Sequence, residues 1–335
     1  MSEFNPYELV ITLFKEIPNR RMRDILIRRF GLHNGQRQTL ELIGQRYGIT
    51  RERVRQIEKN GIAILSKSIN YLRPAISTIQ NYLNEYGKMR REAALLEDLS
   101  DGSKYSQSAI YFILSISRPF YRFGETSEFY PLWTINKRCL NSARRIIYSL
   151  VRELEKKKEV APEEEIIKIG QNIGASSVLA VRSYIDACKL IDKNSFGEIG
   201  LSHWPEIRPR GVKDKAYLVL KKIGRPLHFT ELAKAINETD LASNPVNIQT
   251  VHNELIKDPR FILIGRGIYA LNEWDYESGT VLDVIKKILA NEGPLTKEEI
   301  IKRVLEKKLI KENTVLINLQ NKKYFRREGN KYSLV

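Results

Sequence analysis

Five polar side chains in one short segment are spaced so that they lie along one face of a helix. Arg51, Arg55 and Lys59 recur at every fourth position, and Glu52 and Gln56 follow the same spacing beside them. These residue types match base edges, since arginine pairs with guanine, glutamine with adenine and glutamate with cytosine in the major groove. The pattern therefore predicts a helix that reads bases. The alternative is a charged helix face that only contacts solvent.

The surrounding residues have the pattern of a helix-turn-helix. Thr39 is suited to cap a helix that runs to about Tyr47, and Gly48 can take the left-handed conformation that ends it. Thr50 can cap a second helix that runs to about Lys67. A buried stripe would join the two helices. Its members are Ile43, the small Gly44, Tyr47, Ile49, Val54 and Ile57.

Positive charge is concentrated near this segment. The net charge is +16, from 56 Lys and Arg against 40 Asp and Glu. Residues 1–74 carry +7 and residues 75–135 carry −1, whereas 136–205, 206–274 and 275–335 carry +3, +3 and +4. An excess of this kind predicts a polyanionic partner, and its distribution places a nucleic-acid site in the first segment. The near-neutral second segment is rich in Tyr and Phe, which favours a core or protein-contact role.

Residues 17–65 resemble region 4 of the sigma-70 family of initiation factors. The resemblance rests on RMRDILIRRFGL, TLELIG and TRERVRQIE. It implies that the second helix reads the −35 element of promoter DNA. The implied base-reading residues are Arg51, Glu52, Arg55 and Gln56, and the implied DNA-backbone contacts are Arg29, Thr39, Arg53 and Lys59.

The same resemblance implies a contact with RNA polymerase. The helix around Ile25, Leu26 and Phe30 would dock on the polymerase flap. The alternative for these three residues is core packing, because apolar residues at helical spacing are usually buried. About 16 residues precede the matching segment, whereas a full sigma factor has upstream domains that bind polymerase and melt the −10 element. We therefore expect that this chain does not melt a promoter by itself.

The rest of the chain has a repeated pattern. Trp133, Trp204 and Trp274 are 71 and 70 residues apart, and each follows a strand-like run that contains glycine. The chain ends in a similar run without tryptophan, and three helix-like segments precede each run. This self-similarity predicts winged-helix units, with three helices and a β-hairpin each. The predicted hairpin glycines are Gly124, Gly197, Gly267 and Gly329, and the predicted helix caps include Thr230 and Thr296.

The predicted fold is mainly α-helical with small β-hairpin wings. A helix-turn-helix is followed by tandem winged-helix domains. The predicted domains are a sigma region-4-like helix-turn-helix at 1–74, a divergent winged-helix-like unit at 75–135, a winged-helix-like unit at 136–205, a winged helix at 206–274 and a C-terminal winged-helix-like unit at 275–335.

Residues 205–274 resemble the HARE-HTH domain, on the strength of PLHFTELA and RFILIGRGIYAL. That winged-helix family occurs in the RNA polymerase delta subunit and in chromatin and restriction proteins. In a winged helix, the third helix and the wing are the usual contact surfaces. The candidate wing contacts are Arg266, Lys323, Arg326 and Arg327, for which the alternative is solubilising surface charge.

Other classes of protein have no support in the sequence. The four histidines are far apart, the two cysteines form no CxxC, and the common nucleotide and hydrolase motifs are absent. We therefore predict no catalytic residue, metal or cofactor, and no small-molecule substrate is evident. No apolar run approaches the ~18 residues of a spanning helix, and no secretory signal is visible. We expect a cytoplasmic, nucleoid-associated protein that does not bind membranes.

The leading hypothesis is a non-enzymatic transcription factor that reads −35-like double-stranded DNA and associates with RNA polymerase. A first alternative is a delta-like, polymerase-associated protein that modulates initiation without reading bases. A second alternative is the DNA-specificity component of a mobile-element or restriction system, in which a separate partner would cut.

Overall fold

The chain folds into two compact units. The structure is a computed structural model that describes residues 5–239, 241 and 244–335. The first unit extends to Lys193 and includes Gly197–Ser202, and the second comprises Asn194–Phe196 and His203–Val335. Helices dominate both units, and the strands form small three-stranded antiparallel sheets. The predicted fold class is confirmed.

The first unit begins with a group of helices. They are α1 (Pro6–Phe14), α2 (Arg20–Phe30), α3 (Leu40–Tyr47) and α4 (Arg51–Leu65), followed by a 3₁₀ helix (Ser66–Leu72). The side chains of Asn5 and Asn19 cap α1 and α2 by accepting hydrogen bonds from backbone N–H groups of the first turn. Helix α4 ends at Leu65 rather than near Lys67, because the chain tightens there into the 3₁₀ helix.

After these helices, one order of elements occurs four times: a helix, a short strand, two helices and a β-hairpin. The first unit contains α5 (Arg73–Glu85), β1 (Met89–Arg91), α6 (Glu92–Asp98), α7 (Lys104–Ile116), β2 (Tyr121–Phe123) and β3 (Leu132–Thr134), then α8 (Cys139–Lys157), β4 (Ala161–Pro162), α9 (Glu163–Ile173), α10 (Val178–Ala187), β5 (Ile191–Lys193) and β6 (Glu198–Leu201). The second unit contains α11 (Val212–Ile223), β7 (Leu227–His228), α12 (Phe229–Asn237), α13 (Ile248–Lys257), β8 (Phe261–Gly265) and β9 (Ile268–Leu271), then α14 (Val281–Glu292), β10 (Leu295–Thr296), α15 (Lys297–Lys307), α16 (Glu312–Leu319), β11 (Phe325–Glu328) and β12 (Lys331–Leu334).

Each sheet has one strand more than the predicted hairpin. The additional strand precedes the second helix of its repeat and pairs with the last strand, as where Leu227 lies opposite Tyr269. These strands are two or three residues long. A run that short cannot show the alternation by which strands are recognised, so no sequence pattern predicted it.

The predicted turn glycines and tryptophans are only partly equivalent between repeats. Gly197, Gly267 and Gly329 have positive φ values of 84°, 67° and 61° and form tight hairpin turns. Gly124 has no positive φ, and residues 124–131 form a longer loop between β2 and β3. Trp133 lies within β3, whereas Trp204 and Trp274 each lie three residues beyond the last strand of their repeat. The even spacing of the tryptophans therefore does not mark one structural position.

Two helix caps in the second unit were predicted, and one of them is wrong. Thr296 caps α15 and forms a reciprocal capping box with Glu299, as predicted. Helix α12 begins one residue earlier than predicted, and its cap is His228, whose Nδ1 accepts from the backbone N–H of Thr230 at 3.3 Å. The imidazole replaces the threonine hydroxyl as cap because β7 ends at His228.

The first two predicted domains share one hydrophobic core. Phe112 of α7 is fully buried, and its ring lies 5.0 Å from that of Phe14 in α1 and 4.9 Å from that of Phe30 in α2. The same cluster includes residues from the 3₁₀ helix and α5. The predicted boundary near residue 74 therefore separates no core, and the division of the chain into five domains stays a prediction.

Candidate nucleic-acid interface

Helices α3 and α4 form a helix-turn-helix with both predicted caps. The Oγ1 atom of Thr39 accepts a hydrogen bond from the N–H of Leu42 at 3.1 Å, and that of Thr50 accepts from Arg53 at 3.2 Å. Between the helices Gly48 has a φ of 63°, a left-handed conformation that favours glycine. The local sequence thus fixes where α3 ends and where α4 begins.

Gly44 allows the turn to lie against α3. A Cβ atom at this position would lie 2.6 Å from the carbonyl oxygen of Ile49, which is backbone and cannot move aside cheaply. We expect Gly44→Ala to destabilise the first unit by about 1–3 kcal/mol, although alanine favours helices by up to about 1 kcal/mol. Urea denaturation of the full chain measures this. Gly124→Ala is the matched control, because its Cβ would meet no atom within 4 Å; equal stability of the two variants would show that the turn tolerates the methyl group.

A small apolar cluster turns one face of α4 inward. Ile25, Ile43 and Val54 are buried in it, and four partly buried residues surround them: Leu40, Tyr47, Ile49 and Ile57. The opposite face of α4 is solvent-exposed. It carries the five residues of the predicted reading face: Arg51, Glu52, Arg55, Gln56 and Lys59.

Two of the predicted base-reading residues pair with each other. The Nε and Nη2 atoms of Arg55 donate to the two carboxylate oxygens of Glu52 at 2.9 and 2.7 Å. This hydrogen-bonded guanidinium lowers the pKa of Glu52, so the pair is fully charged at neutral pH. Arg53 donates in turn to the Oε1 atom of Gln56 at 3.1 Å. Within the described part of the chain, Arg51 and Lys59 form no ion pair.

Arg29 and Thr39 lie close to the start of the reading helix, but both also have structural contacts. Arg29 donates from Nε to both carboxylate oxygens of Glu58 at 3.3 Å and from Nη1 to the carbonyl oxygen of Gln38 at 3.1 Å. These bonds hold α2 against α4. One shallow surface cleft nevertheless brings these two residues together with Arg51; its lining residues are Arg29, Thr39, Leu40, Glu41 and Arg51.

The three residues predicted to dock on polymerase lie inside the protein. Ile25 and Leu26 are 0 % exposed and Phe30 is 5 % exposed. Ile25 belongs to the core of the helix-turn-helix, whereas Leu26 and Phe30 pack in the core that contains α7. In this fold the face offers no surface to a partner, and core packing, the alternative interpretation, is what the structure has.

The third helices of the repeats are used differently in the two units. Helix α7 buries seven residues, chiefly against α1 and α2. Helix α10 lies against β1, where Ser183 and Tyr184 donate from their hydroxyls to the carbonyl oxygens of Met89 and Gly87 at 2.5 and 3.1 Å. By contrast, α13 and α16 bury only two residues each. In the first unit, the usual contact helices of the winged helix are therefore occupied by internal packing.

The predicted wing contacts lie on exposed surfaces of the second unit. Arg266 lies in the β8–β9 turn, and Lys323 precedes β11. Arg326 forms an ion pair with Glu328 at 3.2 Å, and Arg327 donates to the carbonyl oxygen of Gly329 at 3.0 Å. All four side chains are exposed and can therefore reach a polyanion.

A buried carboxylate that the sequence did not single out links the helix-turn-helix to the next repeat. Glu92 is 8 % exposed and accepts from Nε of Arg122 at 2.5 Å and from Nε1 of Trp133 at 3.0 Å. Arg37, in the loop before α3, lies 3.6 Å from the same carboxylate, and its guanidinium lies 3.9 Å from the ring centre of Tyr111. A buried charge needs such partners, but they are too distant in sequence to form a recognisable pattern.

Two further kinds of site were sought among the described residues. In residues 5–239, 241 and 244–335, no three His, Cys, Asp or Glu side chains are grouped so that they could hold a metal ion. Over the same residues, every helix is too short or too polar to cross a membrane.

Two segments match known protein families. Residues 19–67 match the family model of sigma-70, region 4. Residues 210–274 match the model of HARE-HTH, a helix-turn-helix domain described for ASXL and restriction endonuclease proteins. Both predicted resemblances are confirmed. The first segment coincides with α2 to α4, and the second with the winged helix formed by α11 to β9.

Curated relatives cover only the N-terminal match. The chain is 55 % identical over 38 residues to RNA polymerase sigma factor RpoS of Coxiella burnetii, which is 11 % of each protein. It is 54 % identical over 41 residues to the principal sigma factor HrdC of Streptomyces coelicolor, 12 % of each, and 52 % identical over 42 residues to SigA1 of Synechococcus elongatus, 12 % of this chain and 10 % of that protein. The chain thus spans about a tenth of the relatives it matches. It combines a sigma-70 region 4 segment at residues 19–67 with a HARE-HTH segment at 210–274, both of helix-turn-helix type.

Proposed function

We propose that the chain is a non-enzymatic DNA-binding transcription factor whose helix α4 reads −35-like promoter DNA. The observation that carries the proposal is the exposed face of α4, where Arg51, Glu52, Arg55 and Gln56 project from a helix whose other face is packed. Side chains in the first two turns of a recognition helix are those that reach base edges in the major groove. The match to sigma-70 region 4 over the same residues supports this role.

Phosphate contacts would fix the register of α4 on the duplex. Arg53 and Lys59 are exposed beside the reading face, and the cleft at Arg29 and Thr39 adjoins Arg51. Such contacts supply affinity and orientation rather than sequence information. A second contact would come from the exposed wing residues of the second unit: Arg266, Lys323, Arg326 and Arg327.

Association with RNA polymerase is the second part of the proposal. The sigma-factor matches and the HARE-HTH match support it. The buried residues Ile25, Leu26 and Phe30 are not the surface, so docking would use exposed parts of the chain. Since the curated relatives are matched over about a tenth of their length, promoter melting and the other activities of a whole sigma factor are not carried over.

One alternative function has an observation in its favour. Helices α7 and α10 are buried, so the middle repeats present no reading helix, which suits a delta-like protein that modulates polymerase without base readout. A pull-down with core polymerase separates the two functions. Retention that survives loss of Arg51 and Gln56 together with unchanged promoter occupancy would favour the alternative.

Genome-wide crosslinking of this protein, with polymerase crosslinked in parallel, tests the proposed function. Coincident peaks over −35-like sequence are expected. Peaks that coincide with polymerase but share no sequence would support the delta-like function, and peaks without polymerase would remove the polymerase association from the proposal.

Glu52 gives a prediction about selectivity. Glu52→Gln removes the partner of Arg55 and one negative charge that faces the phosphates. We expect the variant to bind scrambled duplex about 2- to 5-fold more tightly and to discriminate less at one base pair, because the carboxylate can accept only from a suitable base edge. Anisotropy titrations at fixed salt measure both effects. Glu153→Gln, on exposed α8, is the matched control; an equal gain there would attribute the effect to net charge alone.

A further inference from the structure

A pocket of about 640 Å³ opens in the second unit, at the β8–β9 turn. Its walls are this hairpin, the start of α14 and the segment that leads into α16. The lining residues are Leu263, Ile264, Gly265, Arg266, Gly267, Ile268, Gly279, Thr280, Val281, Lys308, Leu309, Ile310, Lys311 and Thr314. A volume of this size is ordinary for small-molecule sites.

The segment 308–311 is held against the hairpin by backbone contacts. The N–H of Leu309 donates to the carbonyl oxygen of Ile264 at 3.1 Å. A Cβ on Gly265 would lie 2.7 Å from the carbonyl oxygen of Leu309, so only glycine permits this approach. The pocket wall is therefore a packed element of the fold.

Lys308 is a buried cation in this wall. It is 3 % exposed, and its ammonium donates to the carbonyl oxygen of Leu263 at 2.8 Å. An ammonium has three donors, and this bond uses one of them. Among the described residues, no carboxylate lies within the 4.0 Å of an ion pair with Lys308. Burial accordingly lowers the pKa of Lys308.

The charges that line the pocket have one sign. Arg266, Lys308 and Lys311 are cationic, and the lining residues include neither Asp nor Glu. Two carboxylates that act on Lys308 from farther away are engaged elsewhere. Asp283 forms the capping box of α14 with Thr280, and Glu277 forms an ion pair with Lys287 at 2.7 Å.

We infer that this pocket binds a small organic anion whose acidic head meets Lys308 and whose apolar body packs against Ile264, Ile268 and Leu309. A buried charge without a counter-ion is costly, and an anion in the pocket would remove that cost. The apolar lining argues for an aromatic or branched body rather than a bare inorganic ion. The site would make the second unit responsive to a metabolite-sized acid.

Titration calorimetry of the full chain tests the inference with four probes: phenylbutyrate, phenyl phosphate, the neutral phenylbutyramide and inorganic phosphate. The two aromatic acids distinguish a carboxylate head from a phosphate head. At least one of them should bind about 10-fold or more tightly than both the amide and inorganic phosphate, since the charge and the apolar body each contribute. Equal binding of acid and amide, or no saturation by either acid up to about 5 mM, would overturn the inference.

Variants locate the binding. Lys308→Met should abolish the preference for acid over amide, and Arg266→Gln, at an exposed position, should weaken acid binding about 3- to 10-fold. Lys302→Met, exposed on α15 and outside the pocket, is the control and should bind as the native chain does. Should Lys308→Met fail to fold, Arg266→Gln still decides, because unchanged acid affinity in it contradicts the site. In lysine-labelled protein, saturation with the acid should also raise the pKa of one buried lysine; no rise would refute the contact.

Discussion

Replacing Arg51 and Gln56 together by alanine is expected to lower the affinity for a −35-like duplex by about 30-fold or more. Each lost base contact costs about 1–3 kcal/mol, so that two cost about 2–6 kcal/mol. Both side chains are exposed, so the fold should not change. Anisotropy titrations at one fixed salt concentration measure the effect, because phosphate contacts make DNA affinity strongly salt-dependent.

The control for this loss is Arg152→Ala. Arg152 is exposed on α8, and its removal takes away a positive charge far in sequence from the reading helix. Its affinity should stay within about twofold of the native chain. Base reading through α4 is refuted if the double variant loses no more than this control, or if it loses as much on scrambled duplex as on the −35-like one.

Phe112→Ala is expected to destabilise the first unit by about 3–5 kcal/mol, the usual cost of emptying a buried aromatic site. The ring contacts Phe14 and Phe30, so the cavity opens under α1 and α2 as well as inside α7. Because the core is shared, the helix-turn-helix should lose stability although the substitution lies about 50 residues beyond it in the sequence.

Hydrogen exchange measures where the stability is lost. In Phe112→Ala, amides of α2 and α4 should exchange faster together with those of α7. Phe325→Ala, in the core of the last repeat, is the matched control and should accelerate exchange in the second unit only. Unchanged protection of α2 and α4 in Phe112→Ala would mean that residues 1–74 fold as an independent domain.

The local features of the reading site could be predicted from the sequence, because a few adjacent residues determine them. The caps at Thr39 and Thr50 and the left-handed Gly48 each depend on one side chain and its own turn. The same kind of reasoning was wrong at Thr230, since the cap depends on where β7 ends, and β7 exists only because it pairs with β9 some 40 residues later.

Long-range packing could be predicted only in outline. The apolar, near-neutral composition of residues 75–135 indicated a core or protein-contact role, and α7 is indeed buried. No pattern in the sequence indicated its partner, because α1 and α2 lie about 80 to 100 residues earlier. For the same reason, the spacing of Leu26 and Phe30 fitted docking on another protein as well as it fitted burial in this one.

This packing gives the winged helices of the two units different roles. In the first unit, α7 and α10 hold the helix-turn-helix and its neighbours in one body, which leaves α4 as the exposed reading helix. In the second unit, α13 and α16 keep exposed faces. One small fold thus serves as scaffold in one part of the chain and leaves contact surfaces free in the other.

The specificity ratio of the full chain tests the central claim most directly. It is the affinity for a −35-like duplex divided by that for a scrambled duplex of equal length and composition, measured in competition at one salt concentration. We predict a ratio of about 100 or more, as expected when several side chains read base edges. A ratio near one would show that α4 meets DNA only through its charge, and would contradict the proposed function.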